Sequence, residues 1–254
     1  MIKGKGKILL AGLVLFLHAG IAHGEEGAGY GDSIVLARAA AEPEEFDDDF
    51  DLLEGGLADP LEPINRVFFV FNDRLYFWVL KPVATGYKAV VPQKARISVR
   101  NFFTNLAFPV RFVNCLFQGK GEGAAEELGS FLLNSIGGMG GFFDIAGAAG
   151  VRRRDEDLDQ SLAVFGFGPG FYIHWPVFGS STLRGTFGAV GDGFLDPVNY
   201  LDSSGARFAF KSSDLVNRTS LRIGDYESLK RAALDPYAAM RDAYYQNRLK
   251  MIEE

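Results

Sequence analysis

Between Asp59 and Leu80 the chain carries a segment that can form a helix yet offers water no face. Asp59 can cap such a helix, Pro60 or Pro63 suits its first turn, and Glu62 sets negative charge beside the positive end of the dipole. Val67, Phe68, Phe69, Val70 and Phe71 follow without interruption, and Leu75 to Leu80, with Phe77 and Trp78, repeat the pattern after Asn72, Asp73 and Arg74. A helix that is apolar on every side belongs in a large core or in lipid. From Ile64 to Leu80 it runs about 25 Å, short of the ~30 Å hydrocarbon layer. Charges near its midpoint disfavour a clean crossing. Two placements stay open: the central helix of a soluble domain, or a helix within one leaflet whose polar break faces protein or a channel.

The N-terminus bears on the choice. Lys3, Lys5 and Lys7 precede the apolar run Ile8 to Leu17, and Ala22-His23-Gly24 places small residues where a signal peptidase reads. Residues 1–24 are therefore expected to be a secretory signal cleaved after Gly24, not a transmembrane anchor. Losing three lysines moves the net charge from -6 to -9. Such acidity argues against nucleic acid and against recruitment to anionic lipid by charge. Any membrane attachment must use apolar surface.

The single cysteine, Cys115, rules out an intramolecular disulfide and a cysteine zinc cluster. It also lies far from the cleavage site, so it is not the acylated cysteine of a bacterial lipoprotein. His18 and His23 leave with the signal, and His174 sits between Ile173 and Trp175, where a hydrogen-bonded packing role is expected. A Ser-His-Asp hydrolase would rest on that one residue, with no Gly-x-Ser-x-Gly elbow beside it. The run Gly137 to Gly141 lacks the Lys-Ser/Thr of a phosphate loop and reads as a tight turn presenting Phe142 and Phe143 to lipid or core. No catalytic residue, metal site or cofactor is expected.

Residues 25–58, dominated by an acidic run from Glu42 to Glu54, are expected to form a disordered linker. From residue 59 to 254 the pattern is one mostly helical domain. Helices are expected over 83–90, from Pro92 to about 106, after Pro109, over 123–136, from a Ser181 cap to about 190, over 207–234, and from Asp235-Pro236 onward. The glycine–aromatic alternation from Val164 to Pro176, with Gly166, Gly168 and Gly170, favours a hairpin or loop over a helix.

Asp59-Pro60-Leu61-Glu62-Pro63-Ile64-Asn65-Arg66, Phe71-Asn72, Val91-Pro92-Gln93, Asn101-Phe102 with Asn105-Leu106, Gly137 to Asp144, Gly166-x-Gly-x-Gly to Pro176, Thr182-Leu183-Arg184 and Asp235-Pro236-Tyr237 together resemble the VacJ/MlaA family of outer-membrane phospholipid-transport proteins. The resemblance runs in order from residue 59 to about 248. It implies a mostly α, ring-like multi-helix domain with a short glycine-rich hairpin, embedded in the periplasmic leaflet of the outer membrane. Through an amphipathic channel, phospholipids misplaced in the outer leaflet would pass to a soluble periplasmic carrier, with a trimeric porin as neighbour. No covalent chemistry is implied; phospholipid is the transported ligand. Asn72, Asp73 and Arg74 fall where the family's first helix influences channel opening, and Gly166, Gly168 and Gly170 fall on its hairpin loop. Phe68, Phe69, Phe71, Phe77, Trp78, Phe142 and Phe143 are expected to face the membrane. Gly185 stands where the family often has Asp, which removes a local ion pair or cap. The competing reading is a soluble periplasmic lipid-binding or scaffolding protein.

Overall fold

The computed structural model describes residues 56–253. The expected signal and most of the acidic linker lie outside the described residues. Helix α1 (Glu62–Leu75) runs through a π-helical turn (Tyr76–Leu80) straight into α2 (Lys81–Val90), where a break had been expected before residue 83. The wide turn explains the continuity. Lys81 N–H reaches back five residues to the Tyr76 carbonyl, which gives the Pro82 ring room that a regular α-turn would deny it.

Asp59 does not cap α1. The cap position is Leu61, without a side-chain bond. Asp59 instead accepts from Asn65 Nδ2 at 2.8 Å and from the Tyr237 hydroxyl, tying the start of α1 to the C-terminal helix.

Then follow α3 (Gln93–Leu106), α4 (Phe108–Phe117), α5 (Gly121–Ile136), α6 (Ile145–Ala148) and α7 (Leu158–Val164). Strands β1 (Tyr172–Trp175) and β2 (Gly179–Thr182) pair antiparallel, Tyr172 opposite Thr182 and Trp175 opposite Gly179. Helix α8 (Leu183–Asp192) is capped by Thr182, one residue beyond the expected Ser181. A 3₁₀ turn (Pro197–Tyr200) precedes α9 (Ser204–Leu221), α10 (Asp225–Ala232) and α11 (Pro236–Glu253). The single helix expected over 207–234 is thus two. Gly224 at φ +114° breaks it, a setting a residue with a Cβ resists.

Helix α4 packs on α5, α7 on α8, and α9 against α2 and α3. What these contacts bury is polar. Helix α5 turns Glu127 and Ser130 inward with Gly123 and Ala124, and α9 turns Lys211, Asp214, Asn217 and Ser220 inward. Among the described residues only eight hydrophobic side chains are buried, whereas thirty-one large ones are exposed, including Trp78 at 73%, Val90 at 78% and Ile136 at 82%. Among the described residues one apolar cluster joins Leu57, Tyr172 and Tyr237, with Phe69, Tyr244 and Tyr245 against it. No described helix is long and apolar enough to cross a membrane.

Candidate functional site

Asn65, Phe69, Asn72 and Tyr76 recur every three or four residues and so share one side of α1. That side meets β1. A two-stranded sheet leaves an open edge of backbone groups that must find partners elsewhere. Asn65 supplies them by donating from Nδ2 to the Tyr172 carbonyl at 3.2 Å and accepting on Oδ1 from His174 N–H at 2.9 Å. Two turns on, Asn72 donates from Nδ2 to the Trp175 carbonyl at 2.8 Å and accepts from Val177 N–H at 2.6 Å. Val177 holds φ +73°, a costly setting for a β-branched residue. Asn72 therefore pins a strained turn to α1.

The same amide fixes His174. Asn72 Nδ2 lies 3.0 Å from His174 Nε2 and can only donate, so Nε2 accepts and Nδ1 carries the proton. Nδ1 then donates to the Tyr172 hydroxyl at 2.9 Å, which passes its own proton toward Ser180 Oγ at 2.8 Å. Burial lowers the His174 pKa to about 4, so the ring is neutral at ordinary pH. This is the packing role expected from sequence. A hydrolase would need a carboxylate on Nδ1, and a phenol stands there.

The three polar residues that interrupt α1 do not act as one group. Asn72 goes to the hairpin. Asp73 Oδ1 accepts from the Tyr226 hydroxyl at 2.8 Å and from Lys230 Nζ at 2.6 Å, both on α10. Arg74 is exposed, its guanidinium 5.6 Å from the centre of the Trp78 ring.

The residues expected to face the membrane also divide. Phe71, Trp78, Phe142 and Phe143 are exposed, and Phe68 is half-buried. Phe69 is a correction, since it is packed against the apolar cluster, whereas Phe77 is half-buried like Phe68. Phe69 packs edge-on against His174 and Tyr237, and Phe77 against Tyr76 and Tyr226. A helix apolar all round carries no phase that distinguishes its two sides.

Gly166, Gly168 and Gly170 lie in the connection from α7 to β1, whereas the hairpin's own turn is formed by residues 176–178. Their requirements differ. Gly170 has φ +73°, and a Cβ there would stand 2.8 Å from Leu183 Cβ; Gly166 has positive φ but open space; Gly168 has neither constraint. At Gly185 the backbone N–H bonds the Thr182 cap at 2.9 Å, while a Cβ would come within 3.0 Å of the Tyr244 hydroxyl. Neighbouring Arg184 finds its carboxylate elsewhere, on Asp159 at 2.6 Å.

Sequence reading missed the buried ion pairs. Arg248 on α11 reaches Asp157 at 2.7 Å and also Asp159, and Arg111 pairs with Glu127 at 2.8 Å, with both side chains under 10% exposed. Their signal was a lone charge inside an apolar helix, as in Phe108-Pro109-Val110-Arg111-Phe112-Val113. Cys115 is buried in α4, its thiol pushed up to about 11 chiefly by that burial. Among the described residues no group of three or more His, Cys, Asp or Glu could hold a metal.

Residues 57–251 match the model of the MlaA lipoprotein family. The intermembrane phospholipid transport system lipoprotein MlaA of Escherichia coli K12 is 35% identical over 195 residues, 75% of this chain and 77% of that protein. The protein of the same name from Haemophilus influenzae is 32% identical over 196 residues, 74% of this chain and 77% of its own. A solved structure reported as "Structural basis for maintenance of bacterial outer membrane lipid asymmetry" is also similar. It superposes with a TM-score of 0.65 at 31% identity, covering 77% of this chain and 99% of the other. Order of motifs, helical architecture and these likenesses agree: the chain belongs to the MlaA lipoprotein family.

Proposed function

We propose that this protein is the outer-membrane component of an intermembrane phospholipid transport system. It sits in the periplasmic leaflet, takes mislocalised phospholipid from the outer leaflet along an amphipathic channel, and hands it to a soluble periplasmic carrier beside a trimeric porin. One observation carries the reading: large apolar side chains point out while asparagines and ion pairs are packed inside. An exposed apolar surface of this extent marks lipid or partner contact. A polar interior provides the groups that a charged headgroup needs on its way through. Asn72 and Asp73 on α1, with the connection holding Gly166, Gly168 and Gly170, are the positions at which passage is controlled, and Arg74 borders them at the lipid edge.

The test is made in cells lacking their own family member. Expression of the full chain is expected to lower the outer-leaflet phospholipid that external phospholipase can reach, and Asn72→Ala to lower it less at equal protein level. Equal phospholipase access with and without the protein would overturn the reading. Fractionation adds a second check, since a soluble lipid-binding protein would be recovered from the periplasm without detergent, whereas this surface requires detergent.

A further inference from the structure

Where α1 passes into the π-helical turn, three rings and two ion pairs gather against α10. The rings of Tyr76, Phe77 and Tyr226 meet pairwise at centroid distances of 5.2, 5.0 and 6.1 Å. Two ammonium groups lie on Phe77: Lys230 Nζ at 5.0 Å and Lys81 Nζ at 5.3 Å from the ring centre. Both fall inside the ~6 Å range in which a ring face attracts a cation. Each lysine also meets a carboxylate, Lys81 on Glu227 at 2.7 Å and Lys230 on Asp73 at 2.6 Å.

The two carboxylates differ. Glu227 uses both oxygens within the protein, Oε1 for Lys81 and Oε2 for the Tyr76 hydroxyl and Gly224 N–H. Asp73 takes both of its partners on Oδ1, so Oδ2 has none among the described residues. The Lys230 side chain is 35% exposed and has room to turn.

The geometry points to a headgroup subsite for the phosphoethanolamine group, an inference that rests on the lipid-passage reading above. The ligand's ammonium bonds Asp73 Oδ2 beside the Phe77 ring, a surface that already holds ammonium groups from the protein's own lysines. Its phosphate takes Lys230 Nζ. A zwitterion adds no net charge to an ion pair that has none, so neither Asp73 nor Lys230 is left alone when the pair opens. The Lys81–Glu227 pair stays closed and keeps α10 on the start of α2. A phosphoglycerol headgroup brings the phosphate without the ammonium and makes half of these contacts.

The test uses the full chain in detergent, equilibrated with mixed micelles of equal phosphatidylethanolamine and phosphatidylglycerol, with retained lipid quantified after repurification. Wild type is expected to retain the ethanolamine lipid over the glycerol lipid by about tenfold, the discrimination one charge-assisted hydrogen bond supplies. Asp73→Asn brings the ratio to that of the micelles by lowering the retained ethanolamine lipid, with the glycerol lipid unchanged. Lys230→Gln lowers both lipids together, because the phosphate is common to them. A purely structural role would not move the ratio. If Asp73→Asn fails to accumulate, Phe77→Leu, which removes the ring face, reads the same ratio. Competition by free O-phosphoethanolamine assigns recognition to the headgroup alone, and its failure with the ratio intact assigns it to the lipid-borne group. An unchanged ratio in the variants overturns the subsite and leaves lipid passage standing. A wild type that retains no phospholipid overturns the passage reading and the subsite with it.

Discussion

Asn72→Ala separates α1 from the hairpin turn and leaves the rest of both elements intact. Three bonds are lost, to the Trp175 carbonyl, to His174 Nε2 and from Val177 N–H. The turn residues reach water, so their two bonds are worth about 1 kcal/mol each, whereas His174 is only 3% exposed and its stranded acceptor costs ~1–3 kcal/mol. Part of that total falls on the hairpin as a whole. The share acting on the local turn is about 2–4 kcal/mol, a rise of roughly 30- to 1,000-fold in its opening constant. Val177 pushes the same way, because its left-handed backbone costs ~1–3 kcal/mol once nothing holds it. Hydrogen exchange followed by mass spectrometry on the full chain in detergent reads the effect in the peptide spanning 172–182. Adding Val177→Gly to Asn72→Ala is expected to recover about 1 kcal/mol, since glycine takes φ +73° freely. Exchange in that peptide within about threefold of wild type, a change of ~0.6 kcal/mol, would refute the clamp.

Valine at the three glycines before β1 is expected to impair function in the order Gly170, then Gly166, then Gly168, read as residual phospholipase-accessible lipid at matched protein level; equal effects at all three would contradict the geometry. Arg248→Met strands Asp157 and Asp159, the second of which keeps Arg184, and is expected to cost about 3–5 kcal/mol, visible as a large fall in thermal midpoint. His174 has a folded pKa of about 4, below its unfolded value of ~6.5, so its contribution is present above pH 6.5 and lost as pH falls toward 4, by up to about 3 kcal/mol. Asp192 runs the opposite way over the same window, since burial first and then the Asp157 charge raise it to about 7. The difference between wild type and His174→Gln isolates the histidine, and a difference constant from pH 7 to pH 4 would contradict the assignment.

Helix positions were legible where a proline, glycine or cap marks a boundary: Pro92, Pro109, Gly137 and Asp235-Pro236 each fall within two residues of an observed end. Boundaries set by backbone geometry were not. The π-helical turn that carries the chain past Pro82 and the left-handed Gly224 that divides α9 from α10 leave no periodic trace. The site was half legible. Asn72 and Asp73 stood out as polar residues in an apolar helix, but their partners, Val177 and Lys230, are more than 100 residues away in sequence. Phe69, packed against the apolar cluster, was misplaced for a related reason. When both sides of a helix are apolar, hydrophobicity does not say which side is inside.

That ambiguity follows from the surroundings. On α5 the side formed by Gly123, Ala124, Glu127 and Ser130 faces in, and Leu128, Leu132, Leu133 and Ile136 face out. Half a turn of rotation would bury the leucine side, gaining in water about 1.5–3 kcal/mol for each side chain. It would also break Glu127 away from Arg111 and from the Arg154 backbone N–H. Against water the four apolar residues outweigh those ties. Against lipid the rotation gains nothing, because hydrocarbon solvates leucine as well as a core does, and it would place an unpaired carboxylate in an apolar medium. The observed orientation of α5 is therefore the stable one where the outside is apolar. The same holds for α9, which buries Lys211 and Asp214 while Phe208 and Phe210 face outward. An interior organised by polar pairing, with its apolar side chains left for the surroundings, is what a protein needs if lipid is both its solvent and its cargo.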